Sequence, residues 1–505
     1  MVSFTCCHGS PWYSSDLRQW NLIIKHRVIA GDLEGAVLMF TKMQGSGVHG
    51  DNYTFPLVLK AAAGLAISHV GFPLHGQIIK TGFSFHVFVQ TAMLKFYSAL
   101  GYMDRARLLF DNMPEKDLLA WNSMLDAYAS YGQMDDALEI FDLMPVSDSV
   151  SFNTIISGYR KIGRVASARD FFDRMLTKDD VSWNSMIALY TEAGEMKLAR
   201  LLFDEMVGRN VVSWNTLING YLQNQCYADA VDLFYRMKAS RTEPDHLTLS
   251  AVLSACAHLH SLETGLQIHT DAVRFLSDLH VIAALVDMYS KCGSIEKALQ
   301  VFYKAQVKNI YCWNAMISGL ALHGYGQAAL RLFEEMKAKS TRPDDITFIG
   351  LLSACSHAGM VQEGSLLFEC MERDFGISPK AEHYGCIVDL LGRAGFLDQA
   401  YGLIETMPFE PEATVLGALL GACMIHGDLK MGELIAKRIT ARSDGLTDGE
   451  YMMLANIYAM CGQWQESNRW RRKMNDAGIS KAAGCSLIEI DGKMHRFLAG
   501  EFEDV

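Results

Sequence analysis

The chain has 505 residues, half of them hydrophobic and only ten proline, which excludes a disordered polymer and allows either several globular domains or one array whose core grows by stacking. No apolar run approaches the roughly 18 residues of a membrane span. The net charge of −12 excludes indiscriminate nucleic-acid binding, which rests on Lys and Arg neutralising phosphates, but leaves room for a reader that contacts bases along a local basic groove.

Residues 1–16 carry no acid before Asp16 and almost no arginine, a leader of weak targeting character. The repeats start so soon after it that some upstream sequence is expected to be missing. From Leu17 onward the chain is periodic. Asn122, Asn153, Asn184 and Asn215 lie 31 residues apart, each just after Trp121, Phe152, Trp183 or Trp214. Trp20-Asn21 and Trp313-Asn314 repeat the pair, and a period of this length marks a repeat array.

Alignment on that pair gives twelve units: 17–51, 52–86, 87–117, 118–148, 149–179, 180–210, 211–245, 246–278, 279–309, 310–344, 345–380 and 381–412. Two positions support the frame. The twentieth is alanine at Ala36, Ala106, Ala137, Ala168, Ala199, Ala230, Ala298, Ala329 and Ala400. The fifteenth is glycine at Gly31, Gly101, Gly132, Gly163, Gly194, Gly293, Gly324 and Gly395, with Gln225 an exception.

In 149–179 the run SVSFNTIISGYRKIG has apolar residues at helical spacing and ends at Gly163, a left-handed cap. VASARDFFDRM reads as a second amphipathic helix, with Ala168 small enough for the two helices to cross closely. Each unit is thus expected to be a helix-turn-helix that buries its faces only by stacking on its neighbours. The aromatic at position four is expected in the core. The alanine contexts of Cys256, Cys355 and Cys423, and the absence of any C-x-x-C pair among twelve cysteines, point to buried free thiols rather than disulfides or zinc ligands.

Asn at position five, repeated in register, places a ladder of amides along one groove. The last residue of the unit repeats too: Asp51, Asp117, Asp148, Asp179, Asp245, Asp278 and Asp344, with Asn210 and Asn309. Asp and Asn there suit the N-cap of the next helix, but capping alone does not require Asn at position five. An amide offers donors and an acceptor and can match a pyrimidine edge. One base per helical repeat, read by two or three side chains, is a mode of single-stranded RNA recognition.

VVSWNTLINGY (211–221), LVDMYSKCGSIEKA (285–298), FIGLLSACSHAGMVQEG (348–364) and AEHYGCIVDLLGRAGFLDQA (381–400) resemble the plant pentatricopeptide repeat family, PLS subfamily, E class, from residue 17 to about 500. The resemblance implies an all-α, right-handed α-solenoid whose units run P, L, four S-like, P, L, S, P, L, S. It implies that positions five and last choose the base and that position two of adjacent units sandwiches it. Carried over, Asn21/Asp51 implies U, Thr91/Asp117 G, Asn122/Asp148 and Asn153/Asp179 U, Asn184/Asn210 C, and Asn215/Asp245 and Asn314/Asp344 U. Val150, Val181 and Val212 would be among the sandwiching residues. Pro56/His86, Ala283/Asn309, Ile349/Lys380 and Gly385/Glu412 depart from readable pairs, and Ser250/Asp278 is not decoded. The implied site is U-x-G-U-U-C-U-x-x-U-x-x.

Residues 413–448 and 449–483 each read as a further helical pair and resemble the family's E1 and E2 motifs, the second like a tetratricopeptide unit suited to protein contact. In 484–505, GCSLIEIDGKMHRF alternates like two short strands around Asp491-Gly492, a type I′ turn, giving a short β-hairpin and then a truncated tail. A zinc deaminase needs H-x-E and C-x-x-C, and neither occurs. His495 and Glu489 in the hairpin are read as surface residues. No phosphate-binding loop is present either. The expectation is a non-enzymatic protein without cofactor or metal. It binds single-stranded organellar RNA and specifies a cytidine for C-to-U editing, recruiting a deaminase-bearing partner or accessory factors through the E segment. An RNA splicing or stability factor and a protein-binding scaffold are the alternatives. The expected location is the mitochondrion, with the chloroplast as alternative.

Overall fold

The computed structural model describes residues 16–66, 68–440, 446–480, 484–490 and 493–498. Among them the chain forms 28 α-helices and two short 3-10 turns, followed by two strands. It divides into two compact units, Met1–Gly220 and Tyr221–Val505. In each, the first helices of consecutive repeats pack on one another, and most second helices pack on their own first helix and against the first helix of the next repeat. That is the layering of an α-solenoid.

The two repeat lengths have one structural cause. The second helix has 13 residues in three of the 35-residue units, Leu33–Gly45, Tyr227–Ala239 and Gly326–Ala338. It has ten in Met134–Leu143, Val165–Arg174, Met196–Glu205 and Ile295–Lys304, all in 31-residue units. The difference is about one helical turn. The first helix is 13 residues in both kinds, as in Leu17–Ile29 and Ser149–Lys161, so the residues it presents stay in phase along the array.

The alanines at position twenty are all fully buried, as close crossing of the two helices requires. Position four is buried at Trp20, Trp214 and Trp313 and half-buried at Trp121, Phe152 and Trp183. Its ring meets a phenylalanine of the preceding second helix edge-on: Phe110–Trp121 at 4.8 Å, Phe141–Phe152 at 5.1 Å, Phe172–Trp183 at 5.0 Å and Phe302–Trp313 at 5.1 Å between centroids. The glycines at position fifteen lie in the left-handed region, Gly163 at φ +67° among them, and Gln225 adopts the same conformation at φ +59° despite its side chain. Cys256, Cys355 and Cys423 are buried free thiols, and burial pushes Cys355 up to about 11 and Cys423 to about 12.

At the C-terminal end, helices Ala413–His426 and Leu429–Thr440 form one pair and Asp448–Met460 and Trp464–Asp476 the next. Strands β1 (Cys485–Ile490) and β2 (Lys493–Leu498) pair antiparallel, with Ile488 opposite His495 and Glu489 opposite Met494. The expected turn at Asp491-Gly492, the leader 1–15 and the tail from Ala499 lie outside the described residues. No described helix is long and apolar enough to cross a membrane.

Candidate functional site

The last residue of a unit is the N-cap of the next first helix. Asp117, Asp148, Asp179, Asp245, Asp278, Asn309 and Asp344 each accept a backbone N–H of the first turn, and Asn210 does the same from Ser213 at 3.0 Å. The cap fixes the side chain at the helix start. The first helix of the preceding unit brings its position five to the same place. The amide nitrogen of Asn21 donates to Asp51 at 3.1 Å, that of Asn122 to Asp148 at 3.2 Å, that of Asn153 to Asp179 at 3.1 Å and that of Asn314 to Asp344 at 3.0 Å. Four of the seven sequence-predicted pairs are therefore joined by a direct hydrogen bond between residues 26 to 30 apart in the chain.

Two pairs are arranged differently. Thr91 is buried and its hydroxyl donates to Val87 O of its own helix at 3.0 Å, while Asp117 caps its helix at Ala120 N, 2.8 Å away. A threonine in mid-helix finds the carbonyl one turn back before it reaches a residue of the next unit. Asn184 and Asn210 also lack a mutual bond: the Asn210 amide nitrogen donates to Asp180 Oδ2 at 2.7 Å, and Asn184 Oδ1 is buried without a partner. Asn215 and Asp245 belong to different compact units; within the second, Asp245 caps Thr248 N at 2.8 Å.

Three of the capping carboxyls are held toward the charged form. Burial raises the carboxyls of Asp51, Asp148 and Asp179, but the hydrogen bonds from the hydroxyl and backbone of Thr54, Ser151 and Ser182, with those from the paired asparagines, outweigh it and hold all three below the usual carboxylate value. The pairs of Asn21, Asn122 and Asn153 thus each set an amide donor beside an ionised acceptor.

Position two stands clear of the core. Val150, Val181 and Val212 are 52–60% exposed. Frame position two was also the signal for residues that sequence reasoning passed over: Tyr53, Phe88, Leu119, Leu247, Tyr311 and Ile346 are all exposed apolar side chains at that position. At the first two repeats Arg18, Tyr53 and Phe88 line an open cavity of about 820 Å³ together with Asn21, Asp51 and Pro56. At Asn21 and Asp51 the cavity therefore sets a hydrogen-bonded polar pair beside exposed aromatic side chains.

Basic residues next to the caps do other work. Lys116, Lys178 and Lys308 donate to carbonyls at the end of the second helix, at 3.0, 2.9 and 2.8 Å, and sit over Phe110, Phe172 and Phe302. Arg209 does the same with Phe203 O at 2.7 Å and the Phe203 ring. These cations close helix C-termini. No group of three or more His, Cys, Asp or Glu that could hold a metal occurs among the described residues.

Comparison with known proteins agrees with this repeat geometry. The PPR repeat family matches residues 209–258 and 308–357, PPR repeats match at 91–118, 119–148, 146–176, 181–211, 284–310 and 346–374, and the E motif matches 426–489. A pentatricopeptide repeat-containing protein of Arabidopsis thaliana is 43% identical over 484 residues, covering 95% of this chain and 68% of that protein. Another from the same plant, whose name carries "chloroplastic/mitochondrial", is 33% identical and covers 95% of this chain and 63% of its own length. The chain spans between 40% and 77% of the Arabidopsis relatives compared. The crystal structure of maize pentatricopeptide repeat protein PPR10 superposes with a TM-score of 0.61 at 17% identity, over 92% of this chain and 75% of that one. The same protein in complex with an 18-nt psaJ RNA element gives 0.60 over 92% and 80%. With this coverage and identity, and with helical hairpins stacked in the matched register, the chain belongs to the pentatricopeptide repeat family of plant proteins and carries its E motif.

Proposed function

We propose that this protein binds one single-stranded organellar transcript base by base and marks a cytidine in it for C-to-U editing. The observation that carries the reading is the recurring pair of position-five amide and capping carboxylate, hydrogen-bonded and flanked by exposed position-two residues. A planar base inserted between two position-two side chains meets a donor and an acceptor on its Watson–Crick edge, which is the chemistry of one-base-per-repeat recognition. The psaJ RNA held by PPR10, a protein of the same fold, supports RNA as the ligand.

In this reading the array follows the P, L and S order of the PLS subfamily, 17–412, with E1 at 413–448 and E2 at 449–483. Asn21/Asp51, Asn122/Asp148, Asn153/Asp179, Asn215/Asp245 and Asn314/Asp344 select U, Asn184/Asn210 selects C and Thr91/Asp117 selects G. Val150, Val181 and Val212 sandwich bases. The chain itself does no chemistry, and a deaminase supplied in trans is recruited through the E segment. Mitochondrion is the proposed location, with the chloroplast as the alternative carried by a relative's name.

The test has two parts. Electrophoretic shift with U-x-G-U-U-C-U-x-x-U-x-x RNA should show binding that scrambled RNA lacks. Organellar RNA sequenced from plants without the protein should lose a C-to-U site downstream of such a sequence. Retained introns or shortened transcripts with all edited sites intact would replace editing with a splicing or stability role. Equal affinity for scrambled RNA would leave a protein-binding scaffold.

A further inference from the structure

We infer that each base-reading pair with asparagine at position five has a third member, the residue at position three of the following unit, whose hydroxyl sets the orientation of the reading amide. Thr54 Oγ1 donates to Asn21 Oδ1 at 2.6 Å, Ser151 Oγ to Asn122 Oδ1 at 2.7 Å and Thr347 Oγ1 to Asn314 Oδ1 at 2.6 Å. All three hydroxyls come from fully buried residues. The inference rests on the base-reading function proposed above.

The chain's own pattern separates this role from capping. Every unit with Asn at position five is followed by a hydroxyl at position three: Asn21 by Thr54, Asn122 by Ser151, Asn153 by Ser182, Asn184 by Ser213, Asn215 by Thr248 and Asn314 by Thr347. The units with Pro56, Thr91, Ser250, Ala283 and Ile349 at position five are followed by Val89, Ala120, Val281, Cys312 and His383. The cap itself does not need the hydroxyl: Asp117 accepts Ala120 N at 2.8 Å, Asp278 accepts Val281 N at 3.2 Å and Asn309 accepts Cys312 N at 3.0 Å. The hydroxyl follows the asparagine, not the cap.

The chemistry fixes the orientation. A carboxylate only accepts, so the amide nitrogen must face it, and the amide oxygen must then receive the hydroxyl proton. The hydroxyl lies closer to the amide oxygen than to the carboxylate in all three cases, 2.6 against 2.8 Å for Thr54, 2.7 against 2.9 Å for Ser151 and 2.6 against 2.8 Å for Thr347. With the oxygen taken and one N–H on the carboxylate, the amide has one N–H left to present. A base must meet it with an acceptor, such as a uracil carbonyl; the exocyclic amine of cytosine, a donor, cannot. Beside Asn153 the hydroxyl has turned to Asp179 at 2.6 Å and Asn153 Oδ1 is buried without a partner. The hydroxyl is thus a rotor with two positions, and the amide is locked in only one of them.

Ser151→Ala in the full chain tests this by titrating RNAs that carry U or C at the fourth nucleotide, the one read by Asn122 and Asp148. The ratio of affinities for U over C should fall by about three- to tenfold, the scale of one lost hydrogen bond. The U-to-C ratio at the tenth nucleotide, read by Asn314 and Asp344, should stay as in the wild type, and Ser151→Thr should restore the ratio at the fourth. An unchanged ratio at the fourth nucleotide, with lowered melting temperature or uniformly lowered affinity, would make the hydroxyl a structural group and overturn the inference. If the wild-type protein does not distinguish U from C at either nucleotide, the base-reading function itself fails, and the inference with it.

Discussion

Asn210 sends its amide nitrogen to Asp180 at 2.7 Å, whereas Asp51, Asp148, Asp179 and Asp344 in the same role receive an amide from position five. One residue change therefore tests both reading and cap. Asn210→Asp should move preference at the sixth nucleotide from C toward U, measured by competition between the two RNAs. It also sets a carboxylate against Asp180, at a cost of about 1 kcal/mol for a like-charge pair near the surface. That repulsion exists only while both carboxyls are ionised, so its cost to the folded state is lost as pH falls and they take up protons. The melting-temperature deficit should be larger at pH 7 than at pH 4, and Asp180→Asn should remove it. The sequence placed Asn210 at its position by counting, but the Asp180 partner was not legible, because it depends on which of several nearby acceptors wins the amide. The same competition turned Thr91 to Val87, where counting alone paired it with Asp117.

The cap and the turn can be tested at the level of the helical hairpin. Asp51, Asp148 and Asp179 are held below the ordinary carboxylate value of 3.8. Their stabilising contribution is fully present above that value and is lost as pH falls through their lowered values. Circular dichroism melts should be flat from pH 7 to about 5 and drop steeply below about pH 4. Asp148→Asn, which keeps the cap but not the charge, should make that drop shallower. At the other end of the first helix, Gln225 holds φ +59° where most repeats use glycine. Gln225→Gly should raise stability by about 1 kcal/mol, read as a higher denaturant midpoint. An unchanged or lower midpoint would mean that the turn's strain is relieved elsewhere. These features were legible in the sequence as departures from a period, since a local conformation leaves a local mark.

For the whole chain, the charge of −12 limits how the proposed RNA ligand could be held. Lys116, Lys178, Arg209 and Lys308 are committed to helix-end carbonyls and aromatic rings. Binding by base contacts rather than phosphate contacts predicts a shallow salt dependence, a slope of log K against log salt smaller than about 3 in magnitude, equivalent to fewer than about four neutralised phosphates on a single strand. A slope near 7 would make the backbone the dominant contact and displace the amide ladder from that role. The sequence by itself determined the repeat, the two unit lengths, the aromatic and the buried alanine positions, and which side chains share one edge, because each is a linear property repeated along the chain. Only the tertiary structure decided what those side chains do to each other. It joined Asn122 to Asp148 and Ser151, turned Asn210 to Asp180 and left Asn153 Oδ1 without a partner, because a polar group's choice among hydrogen-bond partners is settled by distances across the packed hairpins, not by position in the chain.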